Sequence, residues 1–261
     1  MDDTHHGTMK EDRHFVTALA RGLDVLACFR PGDKALGNQE IAQRCQLPKS
    51  TVSRLTYTLT KLGYLHYIAS QGQYRLGSAT LALGSAMIAR LDVRQLARPL
   101  MQELADFSRG MVSLGMRDRL SMIYIENCRS QNALTLSLDV GSRIPLATTA
   151  MGRALLASLP AIEREVVLTE IRTTQDEQWP DLEAGIQRSL QEVREFACCS
   201  SFGDWQTDVN AIAIAFSPGA GQAPVAINCG GPAFLLSKEF LLHEVRPKLL
   251  QLVRDLQGNL P

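Results

Sequence analysis

Five side chains close together in the sequence could act as one chemical surface: Ser50, Ser53, Arg54, Tyr57 and Lys61. At about 100° per residue they share one side of a helix. They offer two hydroxyls, a forked guanidinium, a phenol and an ammonium. Such a set suits hydrogen bonding to base edges and pairing with phosphates in a major groove. The other side of the same stretch carries Val52, Leu55, Leu59 and Leu62 at spacings of 3, 4 and 3, which predicts one buried face.

The flanking residues supply the elements that must hold this surface. Ile41, Ala42 and Cys45 give a preceding short helix its apolar side, with Asn38 as a suitable N-cap. Gln46-Leu47-Pro48 is a break, and Pro48 suits the first turn of the next helix, where its missing N–H costs nothing. Gly63 stops that helix. Two β-rich runs, Tyr64 to Ile68 and Gln73 to Leu76, then flank a Ser70-Gln71-Gly72 turn and read as a wing. Upstream, Val16, Leu19, Leu23 and Leu26 repeat the 3, 4, 3 spacing and predict a buried face on a helix from Phe15 to Phe29. The whole is a winged helix-turn-helix, and the partner it implies is double-stranded operator DNA. The candidate DNA contacts are Gln39, Lys49, Ser50, Thr51, Ser53, Arg54, Tyr57, Lys61, Gln73 and Arg75.

Charge separates this reading from a merely solvated amphipathic helix. The chain has 261 residues and zero net charge, but residues 10–75 hold ten Lys/Arg against five Asp/Glu, so the remainder carries −5. From Ile41 to Leu91 there is no acidic residue, whereas Arg44, Lys49, Arg54, Lys61, Arg75 and Arg90 are present. Solvated surfaces ordinarily mix both signs, and a one-signed segment suits phosphates.

Gly77 to Ala89 is built of Ala, Leu, Gly, Ser and Thr with little else. A helix so lightly charged reads as a linker, packed on a partner subunit or on the next domain. Beyond it, Asp92 opens or precedes a helix whose expected face is Leu96, Leu100, Leu104 and Phe107. Strands follow at Met111–Met116, Met122–Glu126 and about Leu134–Leu138, the first two joined by Arg117-Asp118-Arg119. Asp139 to Leu146 reads as a loop and Ala150 to Ser158 as a short helix. Residues 160–195 read as charged helix broken near Thr173–Pro180. Strands at Phe196–Ser200, Val209–Phe216 and Pro224–Cys229 precede a closing helix, Leu236–Gln257, on Val245, Leu249, Leu252 and Leu256. Strands at both ends with helices between predict an α+β fold with a largely antiparallel sheet flanked by helices.

Catalytic and metal signatures are not found. The chain has no G-x-S-x-G elbow, no H-E-x-x-H, no C-x-x-C and no P-loop. The six cysteines lie mostly in apolar stretches, and the one late histidine, His243, sits in a helix of structural pattern. We therefore expect no catalytic residues, no metal and no cofactor. The polar start has no apolar core of a signal peptide, and no run reaches the ~18 residues of a membrane span. A cytoplasmic protein is expected, with no membrane partner. His5 and His6 lie in a tail, residues 1–13, that reads as disordered.

PKSTVSRL, LGYL and YRLG, followed far downstream by PLATTAMGRALLA, GDWQTDVNAIAIAF and NCGGP, resemble the IclR family of bacterial transcription regulators. The likeness runs from about residue 14 to the end, and its specificity lies in the order and spacing of the pieces. It implies a winged helix (14–76), a linker helix (77–91) and an effector-binding domain (92–261) related to the GAF and PAS folds. It also implies a homodimer or a dimer of dimers. In relatives, small organic acids lie between the loop before the A-x-G-R-A helix and the last strands. By position the effector candidates here are Ala147, Thr148, Thr149, Ala150, Met151, Asp204, Asn210, Asn228 and Gly230. Thr148, Thr149 and the N–H groups opening the helix could hold a carboxylate. Asp208 stands where many relatives have glycine, and a carboxylate there would disfavour an anionic effector unless it points outward.

The residues leave alternatives open. Asn228 stands among small side chains on a strand, either as a pocket amide or as an edge residue satisfied by backbone. Beside a ligand-responsive regulator stand a DNA-binding protein whose C-terminal domain only oligomerises and, further off, a hydrolase with an appended DNA-binding module. A pocket filled by Phe202, Trp205 or Met151 would favour the second of these three.

Overall fold

A computed structural model describes residues 14–30, 32–88, 91–130, 138–219 and 221–259. The chain folds as two compact units that divide between residues 89 and 90.

The first unit contains α1 (Thr17–Ala27), β1 (Leu36–Gly37), α2 (Asn38–Cys45), α3 (Lys49–Lys61), β2 (Leu65–Ile68), β3 (Gln73–Leu76) and α4 (Ser78–Ile88). The strands form a small antiparallel sheet in the order β1-β3-β2, with Tyr74 opposite both Leu36 and Tyr67. This is a winged helix. Its core is Val25, Leu36, Ile41, Ala42, Val52, Leu59 and Leu65. The turn between α2 and α3 is made by Gln46, which takes a left-handed conformation (φ 52°), so that Leu47 N–H donates to the Ala42 carbonyl.

Three expectations about this unit are corrected. Gly37, not Asn38, is the N-cap of α2. Asn38 is the first helical residue, and its amide donates to the Lys49 carbonyl and Ser53 Oγ, tying α2 to α3. Pro48 sits one position earlier than expected, as the N-cap of α3 with extended backbone. The buried faces also differ. On α3, Thr56 is buried and Leu62, past the helix end, is 61% exposed. On α1 only Val25 is buried, while Leu19 and Leu23, and Phe15 and Val16 just before the helix, are all more than half exposed. Val25, with the partly buried Leu26, meets the core, so the side of α1 that carries Leu19 and Leu23 faces outward. α4 has no buried residue at all.

The second unit runs α5 (Asp92–Ser108), β4 (Met111–Asp118), β5 (Ser121–Arg129), β6 (Arg143–Pro145), α6 (Ala150–Ser158), α7 (Ala161–Thr174), a short 3-10 turn (Asp176–Gln178), α8 (Trp179–Phe196), β7 (Cys199–Phe202), β8 (Val209–Phe216) and β9 (Val225–Pro232). It closes with α9 (Lys238–Phe240), a π-helical turn (Leu241–Val245) and α10 (Arg246–Asn259). The six strands form one antiparallel sheet in the order β6-β5-β4-β9-β8-β7, so the first strand of the unit pairs with the last. α5 and α10 pack on one face with Ile212, Ile214, Phe216, Val225, Ile227 and Cys229. α6, α7 and α8 lie on the other with Ala213 and Ala226. The alternation of large and small residues in β8 and β9 therefore does what it implies: alanines admit a helix close to the sheet.

Here too some expectations fail. α5 turns Val93, Ala97, Met101, Leu104, Ala105 and Ser108 inward, while Leu96 and Phe107 are exposed. Ala97 and Ala105 let the helix approach the sheet, which a count of large residues overlooks. The expected strand near Leu134–Leu138 lies almost wholly outside the described residues. The strand that follows β5 among the described residues is β6, inside the expected loop. β7 begins at Cys199 because α8 continues to Phe196 and Ala197 turns the chain with φ 54°.

Candidate DNA-reading face and effector cavity

The outward side of α3 places Ser50, Ser53, Arg54, Tyr57 and Lys61 in the open. Tyr57 is 64% exposed, with the Lys61 ammonium 5.5 Å from its ring centre. Thr51 is half-buried. Lys49 donates to Gln39 Oε1 at 3.1 Å, so these two bridge the starts of α3 and α2. Ser53 Oγ is committed within the unit: it donates to the Lys49 carbonyl and accepts from Asn38. Arg75 is exposed on β3 opposite His66, and Gln73 is half-buried between Gly37 and Ile68. The wing is stiffened by the Tyr67 and Tyr74 rings, 5.0 Å apart. One cation of the basic stretch is spent elsewhere. Arg44 pairs with Asp33 at 2.5 Å and Glu40 at 2.7 Å. Its hydrogen bond holds the Asp33 carboxyl below the usual carboxylate range.

In the second unit, Thr149 caps α6: its hydroxyl accepts from Gly152 N–H and donates to the Pro145 carbonyl. Gly152 is required there, because a side chain would strike the Leu146 backbone. Beside this cap lies a cavity of about 20 Å³, room for roughly one water. Its walls are Met111, Tyr124, Ile144, Thr149, Ala150, Ser201, Trp205, Val209, Ala211, Asn228, Gly230 and Gly231. Four of the expected residues, Thr149, Ala150, Asn228 and Gly230, are thus brought together. Asn228 Oδ1 is buried without a hydrogen-bond partner among the described residues. Burial pushes the neighbouring Tyr124 phenol up to about 12, partly offset by hydrogen bonds with Ser113 and Asn228.

The other five have different surroundings. The Ala147 carbonyl accepts from Arg153 Nε at 2.7 Å. The Thr148 carbonyl accepts from Ser201 Oγ, and its own hydroxyl is buried without a partner among the described residues. The Met151 sulfur lies where a side chain on Gly115 would be. Asp204 is held by Arg153 at 2.6 Å and Arg188 at 2.9 Å. Asn210 donates to the Leu236 carbonyl. Asp208 is exposed and does not line the cavity. Arg143 pairs with Asp118 and Arg153 with Asp204, so among the described residues no cation lines it. The sequence did not single out Tyr124, Ser201, Met111 or Val209. Period-two alternation in β5 and β7 marks faces, but only the strand order brings these faces onto α6.

The buried thiols do not suit nucleophilic work. Burial pushes Cys198 up to about 12 and Cys229 up to about 11, away from the thiolate. No group of three metal-ligating side chains occurs among the described residues.

Comparison with known proteins matches residues 18–69 to the IclR helix-turn-helix domain and residues 85–257 to the bacterial transcriptional regulator IclR C-terminal domain. The HTH-type transcriptional regulator TsaQ1/TsaQ2 of Comamonas testosteroni is 34% identical over 94% of this chain and 88% of its own. The Pca regulon regulatory protein of Pseudomonas putida is 26% identical over 94% and 84%. An IclR-family regulator from Brucella abortus, 44% identical, superposes with a TM-score of 0.87 over 98% of this chain and 96% of its own. An IclR homologue from Microbacterium hydrocarbonoxydans, 24% identical and solved with 4-hydroxybenzoate, shares the fold with a TM-score of 0.74 over 93% and 98%. A winged helix with an open basic face, followed by a sheet-and-helix unit and matched along both units to one family, makes this chain a member of the IclR family of DNA-binding bacterial transcriptional regulators.

Proposed function

We propose that operator DNA is read by the outward face of α3, with Arg54 as the base reader and Lys61 and Arg75 as phosphate contacts. The observation that carries this is the exposed, one-signed surface of α3 and β3, with Arg44, the basic residue that is internally paired, turned away from that role. Gln39, Lys49, Ser50, Thr51, Ser53, Tyr57 and Gln73 border the same surface. The test is binding of operator and random duplexes across a salt series. Lys61→Ala and Arg75→Ala should weaken binding to both and reduce the salt slope by about one unit each. Arg54→Ala should lower the preference for operator, and equal loss on both duplexes would remove Arg54 as a reader.

The same reading makes the cavity beside α6 the effector site, for a small organic acid or aromatic metabolite that donates a hydrogen bond to Asn228 Oδ1 beside the Thr149 cap. Ala147, Thr148, Met151, Asp204 and Asn210 support the walls from behind. Room for the effector requires Trp205 to withdraw. The small volume with Trp205 in its wall also favours a second reading, in which this unit only oligomerises. Both readings use the domain division 14–76, 77–91 and 92–261 and a homodimer or dimer of dimers. The bare apolar residues Leu19 and Leu23 of α1 and Leu81, Leu83 and Met87 of α4 support such assembly. Neither reading includes catalysis, a metal or a cofactor. A cytoplasmic location accords with DNA as the partner, and no helix among the described residues is long and apolar enough to cross a membrane.

A further inference from the structure

A second cleft lies in the unit from residue 90 onward, along the open edge of β7, bounded by the end of α8 and by the α9–α10 helix. Its volume is about 560 Å³, within the range of small-ligand sites. Its charges are arranged unevenly. The two carboxylates that line it are engaged: Glu192 accepts from Ser200 N–H at 2.8 Å and from Ser200 Oγ, and Asp204 is shared by Arg153 and Arg188. Two lining cations, Lys238 and Arg246, have no carboxylate partner among the described residues. Each lies over an aromatic ring, Lys238 at 5.5 Å from the centre of Phe202 and Arg246 at 5.0 Å from that of Phe196. An aromatic face holds a cation in place without neutralising it. His243 adds a further nitrogen donor or acceptor on the same wall.

We propose that this cleft is a second ligand site, taking a small multiply charged oxyanion of the phosphate-ester or polycarboxylate kind between Lys238, Arg246 and Arg188. It is separate from the effector cavity but shares a wall with it. Ser200 faces the cleft and Ser201 the cavity, as alternation along β7 requires; Asp204 lines the cleft and Trp205 the cavity. An anion that draws Arg188 from Asp204 leaves that carboxylate on Arg153 alone, and through this change beside Trp205 the two sites are coupled.

Calorimetric titration of the full chain with pyrophosphate and with citrate, at ionic strength matched with KCl, tests the proposal. We expect saturable one-to-one binding of at least one probe, weakened about tenfold by Lys238→Gln and by Arg246→Gln. Lys238 is exposed, so its substitution leaves the fold intact and decides the matter if Arg246→Gln lowers the melting temperature. In a Trp179→Phe background, binding should change the emission of Trp205. No saturable binding, binding undiminished by Lys238→Gln, or binding lost instead on Lys61→Ala would overturn the site. An unchanged Trp205 signal would overturn the coupling.

Discussion

Asn228 has a buried carbonyl oxygen that nothing among the described residues satisfies. An unsatisfied buried acceptor costs about 1–3 kcal/mol, so Asn228 Oδ1 calls for a donor from whatever occupies the adjoining cavity, a water or an effector. Asn228→Leu should fill the cavity while leaving the first unit untouched. We expect operator binding by anisotropy to persist and its dependence on effector to vanish. A normal response would take Asn228 out of the site, and loss of folding would make it a structural residue. Asn228, Thr149, Ala150 and Gly230 were singled out by the resemblance to relatives; the residues themselves added only a polar side chain in a small-residue strand and a helix opening as local signals, and nothing local marked Gly230. Tyr124 was not, because its place beside Asn228 depends on β4 pairing with β5 and β9 at once. Arg153 was legible only as part of a motif. Its role as the buried hub joining Ala147 and Asp204 is a matter of packing, and it relies on Gly185, where a side chain would collide with the guanidinium.

At the level of elements, the boundaries set by caps and breakers were legible, and the rotation of helices about their axes was less so. α6 and β8 have the expected ends because Thr149 caps one and turn residues flank the other. α5 presents a face other than the leucine stripe, since Ala97 and Ala105 set its approach to the sheet, and α1 turns Val25 rather than Leu19 and Leu23 onto α2 and α3. The end of α8 offers a direct check. Ala197 holds the left-handed conformation that glycine adopts more readily, so Ala197→Gly should stabilise the protein by about 0.5–1 kcal/mol. Thermal unfolding should shift upward by roughly 2 °C; a downward shift would show that the Ala197 methyl contributes packing that the turn needs.

For the molecule as a whole, the charge contrast between front and back was legible from composition, which left one large or two ordinary domains open, while the strand order was not legible at all. Residues 90–261 have their own sheet and two cores, one on each face. Expressed alone, they should fold cooperatively and bind the effector that the full chain binds; a soluble segment that ignores every such ligand would argue against independence. The segment 90–261 alone, which lacks the basic face of α3 and β3, should show no salt-dependent DNA binding, whereas the full chain should. Open sheets recruit further strands at their rims, the route by which concentrated proteins stack into aggregates. In this sheet β6 is three residues long, and at the other rim the Ser200 N–H of four-residue β7 is occupied by Glu192. The carboxylate leaves an incoming strand one donor fewer and a negative charge to meet, so Glu192 both walls the cleft and blunts this rim against strand addition.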